Sequence, residues 1–164
     1  QASPFCIVEV ASSTASRELV EAVAAAFTRA DIVTRVQDDE AWALWSKLEM
    51  LAPMALLTGG LGQPVGIVRD SEPELMRAAV AEVSRVSAAE GGPADASGVE
   101  EMFGKFAPGA KSSLLRDLEA GRVTEVDAIG GAVLRAAAVH GIPVPTVTDL
   151  VARIKRREGE AARS

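Results

Sequence analysis

Three residues of this sequence have types and positions that suit acid-base or binding chemistry: Lys47, Ser113 and Glu125. Lys47 stands between Trp45 and Leu48 in a strongly apolar stretch. An ammonium there must either extend to solvent or face a polar cavity, and removal of water lowers the pKa of a lysine towards the range that is useful for proton transfer. Lys47 is therefore a candidate general acid in a cleft, and a lysine that extends to solvent is the structural alternative.

Ser113 and Glu125 each have an ordinary structural interpretation. Ser112 and Ser113 precede an apolar run, where a serine commonly caps the N-terminus of a helix. Glu125 follows Thr124, a possible cap, and a carboxylate in a first helical turn is favoured by the helix dipole. On residue type alone, capping and dipole interactions are the favoured roles for both positions.

Two other kinds of site are disfavoured by the sequence. His140 is the only histidine, so neither a histidine-based metal site nor a Ser-His-acid triad can be assembled, and a helix-terminal position is expected for it. The glycine-rich stretches at 59–62, 91–92 and 130–131 do not follow a strand and open a helix with the spacing of a dinucleotide fingerprint. No nucleotide site or metal site is predicted within this chain.

The elements that must position these residues begin with a strand-helix-strand unit. Residues 4–11 are apolar and rich in β-branched side chains, which predicts a short buried strand. A helix capped by Thr14 or Ser16 should follow and end near Ala30. The alternation in residues 32–36 predicts a second strand.

The rest of the chain has helical periodicity. Acidic residues from Asp38 onwards predict the start of a long buried helix that reaches about Leu57. Pro53 should kink or break this helix, and the glycines at 59, 60 and 62 should end it. The two tryptophans, Trp42 and Trp45, are expected to pack on one face of it. Further helices are predicted at 74–89, 98–106, 112–120, 125–140 and 146–158, with a flexible surface loop at 91–98 and Gly141 as a C-cap.

Composition limits the class of protein. In 164 residues the hydrophobic fraction is 48% and the aromatic fraction 4%, which predicts a core of alanine, valine and leucine in close-packed helices. A net charge of -6 without a basic face argues against a nucleic-acid partner. The single cysteine, Cys6, and the lack of a long apolar run or a signal peptide predict a cytoplasmic protein with no membrane partner. Gln1 in place of methionine suggests an excised piece.

The segment from Lys111 to Glu158 resembles the closing third of ketopantoate reductases. The similarity rests on motifs in a fixed order, with the Leu-Trp-x-Lys-Leu signature and a Pro-x-Gly turn upstream. In this sequence they are Leu44-Trp45-Ser46-Lys47-Leu48, Pro64-x-Gly66, Ser112-Ser113, Leu115, Asp117, Arg122, Thr124-Glu125-Val126-Asp127, His140-Gly141 and Pro143 to Pro145. The matches cover roughly residues 38–158.

The resemblance implies a mainly α fold, the helical C-terminal domain of the 6-phosphogluconate-dehydrogenase-like type at 38–164, preceded at 1–37 by a strand-helix-strand remnant of a Rossmann domain. It also implies reduction of a 2-oxo acid by NADPH, with Lys47 giving the carbonyl oxygen its proton. Ser113 would bind the substrate carboxylate and Glu125 its hydroxyl end. The expected partners are the substrate, an N-terminal Rossmann domain that makes most of the contacts with NADPH, and, as a further candidate, a second copy in a homodimer. Alone, the chain is expected to be inactive.

The sequence departs from the family pattern where the family carries asparagines. The corresponding residues are Leu51, Ala55 and Gly130, so substrate hydrogen bonds are lost and a different or more apolar 2-oxo acid than that of pantothenate biosynthesis is expected. The alternative function is a noncatalytic helical association module, for dimerisation, derived from such a reductase.

Overall fold

The computed structural model describes residues 7–161 and opens with the predicted strand-helix-strand unit. Strand β1 (Ile7–Val10), helix α1 (Arg17–Arg29) and strand β2 (Val33–Val36) follow each other, and the strands pair in parallel with Ile7 opposite Val33. The hydroxyl of Ser16 accepts a hydrogen bond from the amide of Leu19 at 3.3 Å and caps α1 as expected. Residues 4–6 of the predicted first strand lie outside the described residues.

Helix α2 (Glu40–Leu61) is longer than predicted. Asp39 caps its start by accepting from the amide of Trp42 at 3.2 Å, and Pro53 lies within the helix without ending it. The prediction that glycines 59 and 60 end the helix is wrong, because both lie inside it and only Gly62, with a φ of 66°, forms the left-handed cap. A Cβ at either helical glycine would collide with Leu114 of a later helix or with Leu150, so these glycines permit close packing.

The middle of the chain contains one helix that the sequence did not predict. Helix α3 (Val65–Ser71) begins directly after Pro64, where only a turn was expected. Helix α4 (Pro73–Ala89) agrees with the prediction. Helix α5 (Ala96–Lys105) starts inside the predicted 91–98 loop, because the carboxylate of Asp95 accepts from the amide of Gly98 at 2.9 Å and caps it there.

The last three helices lie within two residues of their predicted starts. They are α6 (Ser113–Glu119), α7 (Val126–His140) and α8 (Pro145–Ala161). Gly141, with a φ of 64°, ends α7 as predicted. The side chain of His140 lies at that end and is 2.8 Å from Glu90, which links the C-terminal ends of α7 and α4. The chain is therefore mainly helical, as expected.

The hydrophobic core lies where α2 packs against α4, α7 and α8. It consists mainly of valine, alanine and leucine, which confirms the expectation from composition. The two tryptophans differ in burial, since Trp45 is buried whereas Trp42 is 38% exposed, and their common face stays a prediction. The largest fully buried side chains are Phe103, Leu56, Leu57, Leu114, Leu115, Leu150 and Ile154.

Two buried carboxylates join the helices. Glu49 of α2 accepts hydrogen bonds from the hydroxyl of Ser84 and, at 2.8 Å, from the amide of Asp95. Glu82 of α4 accepts from the amides of Thr146 and Val147 at 3.0 and 2.9 Å, at the start of α8. Each carboxylate satisfies backbone donors that would otherwise be buried without a partner.

Within residues 7–161 no single helix has the length and apolar character of a membrane span. Helices α2 and α3 together have that length and composition, but they are bent by 85° relative to each other.

Candidate active site

A cleft of about 810 Å³ lies between the strand-helix-strand unit and the first two turns of α2. Residues of β1 and β2 line one side, and residues 40–47 of α2 line the other. The cleft exists because Asp39 starts α2 directly after the short link from β2, which sets the helix beside the sheet. Its charged lining residues are Glu9, Arg35, Glu40 and Lys47.

Lys47 lines this cleft, and its side chain is exposed to solvent. It makes no hydrogen bond or ion pair with any residue in the described part of the chain. Both sequence interpretations, a cleft residue and a lysine that reaches solvent, are compatible with this position. The ammonium is thus free to donate a proton or a hydrogen bond to a ligand in the cleft.

The carboxylates of the cleft are held by neutral donors. Glu9 accepts from Gln37 at 3.2 Å and from the hydroxyl of Ser46 at 3.5 Å. Glu40 accepts from the hydroxyl and the amide of Ser13 at 2.6 and 2.7 Å, and these hydrogen bonds lower the pKa of Glu40. Neither carboxylate forms an ion pair with Lys47.

Arg35 is a second cation in the cleft that the sequence analysis missed. It lies on β2 directly opposite Glu9 in the strand register, yet among residues 7–161 it has no ion-pair partner. Its only sequence signal was its place in an alternating strand, which by itself is typical of a solvent-facing residue. With Lys47, it gives the cleft two positive groups without a carboxylate partner.

Ser113 is the first residue of α6, and its side chain is exposed. The neighbouring Ser112 is the N-cap, since its hydroxyl accepts from the amide of Leu115 at 3.1 Å, which confirms the capping interpretation for the Ser-Ser pair. Ser112 is buried and is also 2.7 Å from the hydroxyl of Thr58 on α2. Capping therefore leaves the Ser113 hydroxyl available.

Glu125 precedes α7 and is exposed, and it makes no side-chain capping bond. The cap is provided by the hydroxyl of Thr124, which accepts from the amide of Val126 at 3.2 Å. The amide of Thr124 in turn donates to Glu158 of α8 at 2.8 Å, which fixes this turn. The Glu125 carboxylate therefore makes no hydrogen bond to the backbone amides at the start of α7.

One of the three predicted site residues lines the cleft described above. Lys47 lines the cleft, but Ser113 and Glu125 are absent from its lining. Their roles stay predictions. All three are exposed and lie within the helical body, on α2, at the start of α6 and just before α7.

The three positions at which the resemblance leads us to expect asparagines differ in their surroundings. Leu51 is half-buried one turn after Lys47, and Ala55 is fully buried. Gly130 is buried where α7 crosses its neighbours: a Cβ there would lie 2.5 Å from Val151 and 2.9 Å from Leu56. An asparagine at position 130 would therefore require the helices to separate.

No group of three or more histidine, cysteine, aspartate or glutamate side chains that could hold a metal ion occurs in residues 7–161.

Comparison with known proteins gives a consistent result. Residues 39–158 match the family model described as the ketopantoate reductase C terminal. The 2-dehydropantoate 2-reductase of Shigella flexneri is 35% identical over 143 residues, which are 82% of this chain and 47% of that protein. The reductase of Halobacterium salinarum is 34% identical over 147 residues, covering 85% of this chain and 48% of that protein. The chain thus spans about half the length of the curated relatives it matches.

Solved structures agree with this. A PanE/ApbA family ketopantoate reductase from Ralstonia eutropha superposes with a TM-score of 0.78 at 27% identity, over 95% of this chain and 52% of that one. The reductase of Methylococcus capsulatus gives a TM-score of 0.81 at 26% identity, over 95% and 52% of the two chains. The match over the helical body and the shared fold lead to one conclusion: the chain belongs to the ketopantoate reductase family and contains its C-terminal domain.

Proposed function

We propose that this chain is the substrate-binding half of an NADPH-dependent reductase that converts a 2-oxo acid into a 2-hydroxy acid. The observation that carries the proposal is Lys47, a cation without a partner in residues 7–161 that lines the cleft between the strand-helix-strand unit and α2. Relatives of this chain are named 2-dehydropantoate 2-reductases. Reduction of a ketone to an alcohol by a nicotinamide cofactor adds a hydride to the carbonyl carbon and a proton to the carbonyl oxygen.

The residues of this chain would supply the proton and orient the substrate. NADPH, when bound, would supply a hydride to the carbonyl carbon. The Lys47 ammonium gives its proton to the carbonyl oxygen as charge builds there, and the resulting amine takes a proton back from water. Ser113 would donate to the substrate carboxylate and Glu125 would accept from a hydroxyl at the other end, so that the carbonyl is held towards Lys47.

The NADPH-binding half is proposed to pack on the strand-helix-strand unit. Helix α1 carries an exposed apolar stripe at four-residue spacing, with Leu19 55%, Val23 39% and Phe27 36% exposed. Ile7 and Val33, opposite each other on the two strands, are also exposed. An apolar helix stripe beside a two-stranded sheet is typical of a unit that is covered by further layers. Without that half, the chain is expected to be inactive.

The substrate is proposed to be less polar than ketopantoate. Leu51 lies one turn after Lys47, where many family members carry an amide, and Gly130 is closely packed against other helices. A site without these amides loses substrate hydrogen bonds and with them discrimination in favour of a hydroxylated substrate.

The exposed stripe on α1 also suits the second candidate function, a noncatalytic association module, in which the stripe binds another copy.

The test compares the full gene product with this chain alone. NADPH oxidation is followed with ketopantoate and with a panel of 2-oxo acids that carry apolar side chains. The full gene product should turn over at least one of them, with the apolar acids preferred, and the chain alone should turn over none. If the full gene product is silent with every substrate and the chain forms dimers, the association module is the correct function.

A further inference from the structure

A buried pair of hydroxyl groups joins α2 to the start of α6. Thr58 is 0% exposed and Ser112 is 5% exposed, and their oxygen atoms are 2.7 Å apart. The two residues are far apart in the sequence, so this hydrogen bond is a tertiary contact. It lies next to Ser113, the residue assigned to the substrate carboxylate under the proposed function.

The direction of each hydrogen bond in this pair follows from the acceptors around it. The hydroxyl of Thr58 lies 2.7 Å from the carbonyl of Met54, and a carbonyl oxygen can only accept. The Thr58 hydroxyl therefore donates its single hydrogen to the carbonyl of Met54, so in the bond between the two hydroxyls Ser112 is the donor and Thr58 the acceptor. Ser112 also accepts from the amide of Leu115. The hydrogen bonds thus form a chain in which each donor points from α6 towards α2.

The packing beside this pair leaves α6 little freedom. A Cβ on Gly59 would collide with the side chain of Leu114, so α6 lies as close to α2 as a glycine allows. Leu114 and Leu115 are each 1% exposed and hold the buried side of α6. The hydroxyl pair adds a directional contact, which apolar packing by itself does not provide.

We propose that Thr58, acting through Ser112, is a positioning residue that sets where Ser113 meets the substrate carboxylate. Helix α2 then carries both parts of the site. Lys47 and Thr58 both lie on this helix. This inference rests on the proposed function, because Ser113 must bind the substrate for its position to matter.

The experiment measures KM and kcat of the full gene product with its best 2-oxo acid. Thr58→Val removes the acceptor and keeps the shape of the side chain. We expect it to raise the KM for the oxo acid about tenfold, with kcat and the KM for NADPH changed less than about threefold, since loss of ground-state binding acts on KM. Thr58→Ser keeps the hydroxyl and should restore the original KM.

A double-mutant cycle separates positioning from a general loss of structure. Ser113→Ala should raise the KM by a similar factor, and adding Thr58→Val to it should have no further effect, because the positioned group is already gone. Ser87→Ala is the matched control, since Ser87 is a fully buried serine whose hydroxyl has no hydrogen-bond partner. It should leave KM and kcat unchanged.

The outcomes distinguish the inference from the function on which it rests. If Ser113→Ala raises the KM and Thr58→Val does not, the positioning role is overturned and the proposed function stands. If the two effects multiply, Thr58 acts independently of Ser113 and the inference is also overturned. If neither variant changes the KM, the proposed role of Ser113 fails and the inference fails with it. Should Thr58→Val not fold, Thr58→Ala also removes the acceptor hydroxyl, leaves the cap made by Ser112 in place, and must give the same pattern of KM values with and without Ser113→Ala.

Discussion

Replacing Glu82 by alanine should destabilise the chain strongly, because this buried carboxylate accepts from the first amides of α8. Its oxygens lie 3.0 and 2.9 Å from the amide nitrogens of Thr146 and Val147, and the residue is 5% exposed. A hydrogen bond to a charged group contributes about 1.5 to 3 kcal/mol, so the loss of two costs at least about 3 kcal/mol. For a chain of this size, that corresponds to a decrease in Tm of about 6 to 12 °C.

The measurement is a thermal melt followed by circular dichroism. Glu74→Ala on the same helix is the matched control, because the side chain of Glu74 is 87% exposed and its ion pair with Arg77 lies at the surface. That substitution should shift Tm by no more than about 2 °C. Glu82→Gln, which keeps an acceptor oxygen and loses the charge, should fall between the two. Equal melting temperatures for Glu82→Ala and Glu74→Ala would refute this account of α8.

Two further predictions concern packing and pH. Gly66→Ala should destabilise the chain by about 1 to 3 kcal/mol, because the new Cβ would lie 2.7 Å from the Cα of Pro108. Gly104→Ala is the control: its Cβ would have no atom within 4 Å, so this substitution should stabilise helix α5 by up to about 1 kcal/mol. Denaturant titration compares the free energy of unfolding of the two variants. Hydrogen bonds from Ser13 lower the pKa of Glu40 in the folded state. The ionised carboxylate therefore stabilises the fold at every pH above the pKa that Glu40 has in the unfolded chain. This stabilisation is lost as the pH falls through the pKa that Glu40 has in the folded chain. The difference in Tm between the unchanged chain and Glu40→Gln should therefore be largest near neutral pH and shrink below about pH 4, and a difference independent of pH would contradict this.

The sequence predicted the helices that have strong local signals. The caps at Ser16, Asp39 and Ser112 precede apolar residues at helical spacing, and Gly141 follows such a run. These features act within one turn, so they can be recognised without knowledge of the tertiary structure. Helix α3 was missed because its seven residues are too few to show a clear period.

Errors arose where distant contacts override local propensity. Glycines 59 and 60 were expected to end α2, but they lie where Leu114 and Leu150 approach the helix, and no local pattern reveals this contact. The burial of Glu49 and Glu82 was missed for the same reason, since their hydrogen-bond partners come from distant segments of the chain.

The candidate site was predicted in part. Lys47 lines a cleft, a position that both of its interpretations allow, and its role stays a prediction. Arg35 and Glu9 were not recognised, because a charged residue in an alternating strand carries no specific signal. The roles of Ser113 and Glu125 came from the resemblance alone, and their absence from the lining of the Lys47 cleft depends on how α6 and α7 pack, which spacing does not encode.

The most direct test of the central claim is the kcat of Lys47→Met in the full gene product, measured by NADPH oxidation with the preferred 2-oxo acid. Lys105→Met is the matched control, because the Lys105 side chain is 68% exposed on α5 and lies outside the cleft. The account predicts that Lys47→Met lowers kcat about 10² to 10⁴-fold, the usual contribution of a general acid, while Lys105→Met stays within about twofold of the unchanged protein. A folded Lys47→Met protein with a kcat equal to that of Lys105→Met would contradict it.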